Sequence, residues 1–370
     1  PKDCEFGGYR RARISSQCLK RAIRRAFALE NLLPPENRAQ RTKLVVQEVT
    51  RLLEQKEFPS EQSRQAIETL LKGVKLSVTN GETQYLLFLG NLELAGLADV
   101  CATHWDALLA AADSPTAAET GARKTKAQAK QSVPDEARKA LEAILNGGRA
   151  ADVALFGRML ADQSSLNIDA ACQVAHAIST NRVNMEFDFF TAVDDLKPRE
   201  EDMGAGMLGT VEFNSACYYR YATIDLEQLR KNLHGDEELA RATVRAFLQA
   251  SIAAIPTGKQ NSMAAQNPPS FVMAVARERG LWSLANAFLR PVVPRGNEDL
   301  MQASVQALDA YWGKLVRMYG SEGIAGTWVA LLDDETPLRS LAGNVVPGVA
   351  ALIDCTMAEI RFHGQAAQVG

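Results

Sequence analysis

The sequence predicts an α+β protein with a long helical stretch, a long β-hairpin, and helices interleaved with strands toward its end. Three observations carry this. Apolar residues recur at helical spacing through most of 16–150. Two β-type runs, 187–193 and 210–221, flank a polar stretch holding Pro198, Gly204, Gly206 and Gly209. Beyond residue 225, helical faces alternate with the apolar run 271–276.

The elements follow in order. Residues 10–14 are short, extended and basic, and Ser15 or Ser16 suits the N-cap of the next helix. On that helix Leu19, Ala22, Ile23, Ala26 and Phe27 form one face. Helical faces recur at Val45, Val49, Leu52 and Leu53, at Ala66, Ile67, Leu70 and Leu71, and at Ala137, Leu141, Ile144 and Leu145. Residues 113–135, rich in Ala, Thr, Lys and Gln, read as an exposed connection or a disordered loop, its Arg123, Lys124, Lys126 and Lys130 more often solvated in such a run than set on nucleic acid. Ile168, Ala171, Cys172, Ala175 and Ile178 suggest one more helix. Val211, Phe213, Cys217, Tyr219 and Tyr221 alternate as one half-buried strand, which with 187–193 makes a hairpin with a mobile tip. Leu239, Ala242, Ala246, Phe247 and Ala250 form a helix ending near Pro256. Residues 271–276 suit a buried central strand, and Leu308, Tyr311, Trp312, Leu315 and Tyr319 a final helix.

Composition bounds the function. The 370 residues suit two or three domains, and 46% hydrophobic content suffices for a real core. No apolar run approaches the roughly 18 residues of a membrane span, and no signal peptide opens the chain. Six scattered cysteines without a CxxC pair suit reduced thiols in the cytoplasm. The chain opens at Pro1 rather than Met, so the natural N-terminus is expected upstream. The net charge of −3 hides a split. Residues 1–25 hold eight basic side chains (Lys2, Arg10, Arg11, Arg13, Lys20, Arg21, Arg24, Arg25) against Asp3 and Glu5. A basic end on an acidic body points to one localised anionic partner.

Residues 6–27 are the most informative. Gln17, Lys20, Arg21 and Arg24 stand at i, i+3, i+4 and i+7, opposite the apolar face. A phosphodiester backbone asks for this arrangement: a helix N-terminus with unpaired N–H groups, neutral donors at Ser15 and Gln17, and cations spaced along the strand. Other motifs carry less. Residues 204–209 spell GxGxxG, but an acidic run precedes them and β-type residues follow, so no dinucleotide site is expected. Thr257-Gly258-Lys259 lacks the upstream glycine of a P-loop. Cys172 and His176, four apart on the expected helix, lack a third ligand. Asp194-Asp195 suits a solvated turn. No catalytic residue, metal ligand or cofactor is therefore expected. Met159, Phe189, Phe190 and Leu208 are apolar groups of the kind that stack on bases when exposed beside a phosphate site.

The stretch FGGYRRARISSQCLKRAIR resembles the opening motif of the backbone subunit of the type I-E CRISPR surveillance complex, Cascade, in the CasC or DevR-type family of the RAMP superfamily. ADVALFGRM at 151–159, AHAIST at 175–180, DFFTAVDDL at 188–196 and LGTVEFNSACYYRYATIDL at 208–226 resemble the same family, in its order. Weaker blocks follow at 259–268 and 285–288. Residues 31–150 carry no matching motif.

The resemblance implies a hand-shaped fold. An RRM-like, ferredoxin-like palm would come from 1–29, 151–182 and 219–370, helical fingers from 30–150, and a thumb hairpin from 183–218. It implies copies that polymerise along CRISPR RNA, the guide, and kink it with their thumbs. Short guide segments are then left to pair with target DNA, and base pairing does the reading. Neighbouring copies, the large subunit, the small subunits and the guide-end capping subunits would be partners. Carried over by position, Lys2, Ser15, Gln17, Lys20, Arg21 and Arg24 match guide-phosphate contacts, and Met159 the base-stacking residue near a kink. Phe190 and Thr191 match thumb-base contacts, and Leu208 lies on the thumb's return. Two departures stand out: the strand that normally precedes the motif reads as absent, and the tip at 197–202 is acidic. The aromatic signature of RRM sheets is also missing. The alternative within the superfamily is a guide-processing endoribonuclease using His176 or Asp194-Asp195. A protein-binding module for an acidic partner is the blander reading.

Overall fold

The computed structural model describes residues 2–74, 76–112, 133–146, 148–160, 166–191 and 208–362. The cations at 123–130, the hairpin tip at 197–202 and Asp194-Asp195 lie outside the described residues. The chain divides into two units. One comprises Pro1–Ile23, Val174–Thr223 and Leu248–Arg361, the other chiefly Arg24–Gln173 with Ile224–Phe247. The architecture is mixed α+β with small antiparallel sheets.

In the first unit, strands β1 (Lys2–Phe6) and β2 (Tyr9–Ile14) form a hairpin. Gly7 and Gly8 turn it with φ of +64° and +79°, the two positive values that a tight two-residue turn demands. A Cβ on Gly7 would stand 2.0 Å from the carbonyl oxygen of Leu289, so glycine is needed there twice over. A strand therefore does precede the motif, contrary to expectation. KDCEF alternates only at Cys4 and Phe6, too brief a pattern to mark a strand, and its strand character comes from pairing with the motif itself. Beyond β2 the sheet continues through Ala177–Ser179 to Tyr218–Tyr219, all antiparallel.

Arg11 on β2 points inward and is fully buried. Its Nη1 donates to the carbonyls of Ser179 (3.0 Å) and Thr180 (2.9 Å), and its Nη2 to that of Phe288 (2.6 Å). A buried guanidinium needs several acceptors, and here backbone carbonyls supply them.

Two sequence expectations for this region are corrected. Residues 168–178 are not a helix: Cys172–Val174 and Ala177–Ser179 are strands, so Cys172 and His176 share no helix face. Each strand is only three residues long and is set by its pairing partner, which overrides the helical spacing of the run. Residues 210–221 are not one strand. Leu208–Phe213 pairs with Glu186–Thr191, and the chain then leaves to pair Tyr218–Tyr219 with Ala177–Ser179. The alternation persists while the partner changes.

The rest of this unit packs Phe271–Arg277 against Ile324–Leu331 as an antiparallel ribbon. Phe271, Met273 and Val275 face a core of Leu284, Phe288, Leu308, Trp312, Val329 and Leu341. The apolar run predicts a central, buried strand here. Instead it has one partner strand and is half-buried along its length. Helix Leu300–Tyr319 begins in a capping box of Asp299 and Gln302.

Helix α1 (Ser16–Leu29) follows β2 and buries Leu19, Ile23, Ala26 and Phe27, the expected face. In the second unit, helices Val45–Glu54, Ser60–Gly73, Asn91–Thr103 and Asp135–Asn146 close over Val49, Leu53, Ile67, Leu70, Leu97 and Leu141. Two strands unseen in the sequence, Ala39–Thr42 and Leu87–Gly90, pair there. LFLG is buried throughout and so shows no alternation.

Candidate nucleic-acid interface

The cationic region is built on the β2–α1 junction. Ser15 is the residue before the helix, and its carbonyl accepts from Cys18 N–H (3.0 Å) and Leu19 N–H (3.1 Å). It is buried, only 7% exposed. Gln17 and Arg21 are exposed and Lys20 is half-buried, so one helix face turns a neutral donor and two cations outward. Among the described residues no carboxylate pairs with Lys20 or Arg21. Lys2 is exposed on β1.

The eight basic side chains of residues 1–25 are not equivalent. Arg11 belongs to the interior. Arg10 pairs with Asp3 at 2.5 Å. Arg13 donates to the carbonyl of Asp3 (3.2 Å), and its Nη1 lies 3.2 Å from His176 Nδ1. Arg24 is half-buried, its guanidinium 4.9 Å from the ring centre of Phe88. It is also close enough to Asp152 to oppose that residue's shift. Burial pushes the Asp152 carboxyl up to about 7, against the pull of Arg24 and nearby backbone N–H groups. The outward charge thus rests on fewer residues than the sequence count implies.

Sequence reasoning weighs His176 beside Cys172 and as a nuclease residue, but does not place it at this site. It stands at the start of α1, where Ser16 N–H donates to its Nδ1 at 3.2 Å. The two positions are 160 residues apart, and no local signal joins them.

The apolar candidates belong to other elements. Met159 is 84% exposed in the second unit. Phe190, on the hairpin of the first unit, is 42% exposed, and its ring lies across Gly209 of the opposite strand. Thr191 pairs in register with Leu208. Phe189, on the other face of the strand, is exposed too, so neither phenylalanine is core. Among the described residues no three His, Cys, Asp or Glu side chains come together as metal ligands. No described helix is long and apolar enough to cross a membrane.

The family model of the CT1975-like proteins, a CRISPR-associated family, matches residues 1–348. The chain belongs to that family. This CT1975-like chain is also similar to solved structures. One, described as a CRISPR RNA-guided surveillance complex, pre-nicking, superposes with a TM-score of 0.79 at 31% identity, covering 97% of this chain and 93% of the other. A second CRISPR RNA-guided surveillance complex gives a TM-score of 0.69 at 25% identity, with 97% and 93% covered. No curated protein matches the CT1975-like chain.

Proposed function

We propose that this chain is a non-catalytic RNA-binding scaffold of a CRISPR RNA-guided surveillance complex of the Cascade type, specifically the type I-E backbone subunit. The observation that carries the reading is α1, with Gln17, Lys20 and Arg21 turned outward next to its N-terminus. Such a surface holds phosphates without selecting bases, which suits a subunit that leaves sequence reading to the guide. Similarity to surveillance-complex chains over 97% of the length supports the same reading.

In this reading, copies stack along CRISPR RNA, contact one another and the other Cascade subunits, and present the guide to target DNA in the cytoplasm. The palm is RRM-like and built from 1–29, 151–182 and 219–370; the fingers are 30–150 and the thumb is 183–218. Lys2, Ser15, Gln17, Lys20, Arg21 and Arg24 are the phosphate positions, with Lys2, Gln17, Lys20 and Arg21 the ones already turned outward. Met159, Phe190, Thr191 and Leu208 serve the bases near each kink.

The test is salt-dependent binding to guide RNA. Each lost phosphate contact on a single strand reduces the slope of log affinity against log salt by roughly 0.7. Lys20→Glu with Arg21→Glu should weaken binding and flatten the slope by more than 1. An unchanged slope would remove the phosphate role. Guide precursor incubated with the protein, with and without Mg²⁺, should stay intact; cleavage lost on replacing His176 would make the chain a nuclease instead.

A further inference from the structure

Met159 is the most exposed large apolar side chain among the described residues, at 84%. Its chain neighbours are the opposite: Arg158 is 4% exposed and Leu160 is 6%. An exposed methionine is ordinarily a surface accident on a tolerant loop. Here the backbone on both sides is tied down.

Arg158 exchanges two backbone hydrogen bonds with Ile168, at 2.9 and 2.8 Å. Its guanidinium runs into the helical core, where Nη1 donates to Glu93 Oε1 at 2.9 Å and Nε to the Leu166 carbonyl at 3.3 Å. Nη2 donates to the Leu145 carbonyl. Glu93 is equally buried, and its other oxygen accepts from Gly90 N–H at 2.6 Å. On the far side, Leu160 N–H donates to Asn167 Oδ1 at 2.6 Å while its side chain joins the helical core. Gly157 enters the turn at φ +75°, and a Cβ there would meet the Ile168 carbonyl oxygen at 2.8 Å.

A buried ion pair is an expensive way to gain stability, because desolvation offsets most of the attraction. What it supplies is a fixed geometry. Methionine in turn is unbranched and polarisable, so it accommodates whichever base surface it meets. A rigid base carrying an adaptable tip is the construction of a wedge.

We propose that the buried Arg158–Glu93 pair is the positioning device for Met159, holding its thioether at a fixed place where it inserts between two stacked bases of bound RNA. The inference rests on the proposed function, in which Met159 meets bases near a kink.

The test places 2-aminopurine at successive positions of the guide in the complex assembled from full-length protein; its fluorescence rises where a base is unstacked. Wild type should raise it at recurring positions. Met159→Ala should abolish that rise. Arg158→Lys, and the pair Arg158→Gln with Glu93→Gln, which leaves no unpaired buried charge, should lose at least half of it. In the Arg158 and Glu93 variants, RNA affinity at fixed salt should change less than threefold, since the phosphate contacts remain. The double variant Met159→Ala with Arg158→Lys should match Met159→Ala alone. If folded Arg158 and Glu93 variants keep the full signal while Met159→Ala loses it, the positioning role is overturned. If Met159→Ala itself keeps the signal, the wedge is wrong and the phosphate reading stands. A thermal melt of each variant separates lost clamping from lost folding, and the neutral pair decides between the outcomes should Arg158→Lys not fold.

Discussion

His176 Nδ1 accepts a hydrogen bond from the backbone N–H of Ser16, 3.2 Å away, and lies the same distance from Arg13 Nη1. Two donors on one ring nitrogen make that nitrogen the acceptor, so the neutral ring carries its proton on Nε2. The sheet strand that follows residue 176 is thereby tied to the start of the cationic helix. His176→Phe should cost about 1 kcal/mol, the ordinary worth of such a bond. His176→Asn, whose amide oxygen can stand near the Nδ1 position, should recover part of it. Urea denaturation of the three proteins measures this; equal midpoints for Phe and wild type would sink the idea.

Asp152 makes stability depend on pH. Its carboxyl is raised from an ordinary 3.8 to about 7, first by burial, with Arg24 opposing. Between those values the folded state keeps a proton that the unfolded state releases. Stability therefore falls as pH rises from about 4 to about 7, with a slope approaching 1.4 kcal/mol per pH unit. Asp152→Asn should flatten this segment of the profile. Arg24→Ala removes the opposing cation and should extend the decline to higher pH. A flat wild-type profile across pH 5 to 8 in urea titrations would refute the assignment.

Arg11 is a structural residue inside a basic motif. Its removal strands the carbonyls of Ser179, Thr180 and Phe288 in the interior. Arg11→Met should destabilise by about 3 kcal/mol or more, and Arg11→Lys should restore little, since a single ammonium cannot replace the planar fork. The shift in denaturation midpoint measures both. A loss below about 1 kcal/mol for Met would show that these carbonyls find other donors.

Gly209 holds a place for Phe190. A Cβ there would stand 2.4 Å from Phe190 Cζ, so any side chain displaces the ring. If Phe190 meets RNA from that position, Gly209→Val should weaken guide binding about as much as Phe190→Ala, and the double variant no more than either. Fully additive losses in a binding cycle would mean that the glycine does not act through the ring.

Much of this was legible in the chain. Leu19, Ile23, Ala26 and Phe27 recur at helical spacing over enough residues for the period to be unmistakable, and α1 buries that face. The helical faces at 45–53 and 66–71 were legible for the same reason. β1 and residues 172–179 were not. Each is a run of three to five residues whose strand character depends on a partner that local spacing does not reveal.

The sequence by itself determined the helix faces, the hairpin pairing around 190 and 210, the concentration of charge at one end, and membership of a CRISPR-associated family. Only the tertiary structure decided how that charge is used. A guanidinium reaches roughly 6 Å from its backbone, far enough to turn inward or outward from any position. Arg11 and Arg158 turn inward to buried acceptors, Arg24 lies against Phe88 near Asp152, and Lys20 and Arg21 face out. Composition counts these side chains alike. Their surroundings, assembled from residues up to 277 positions away, set them apart.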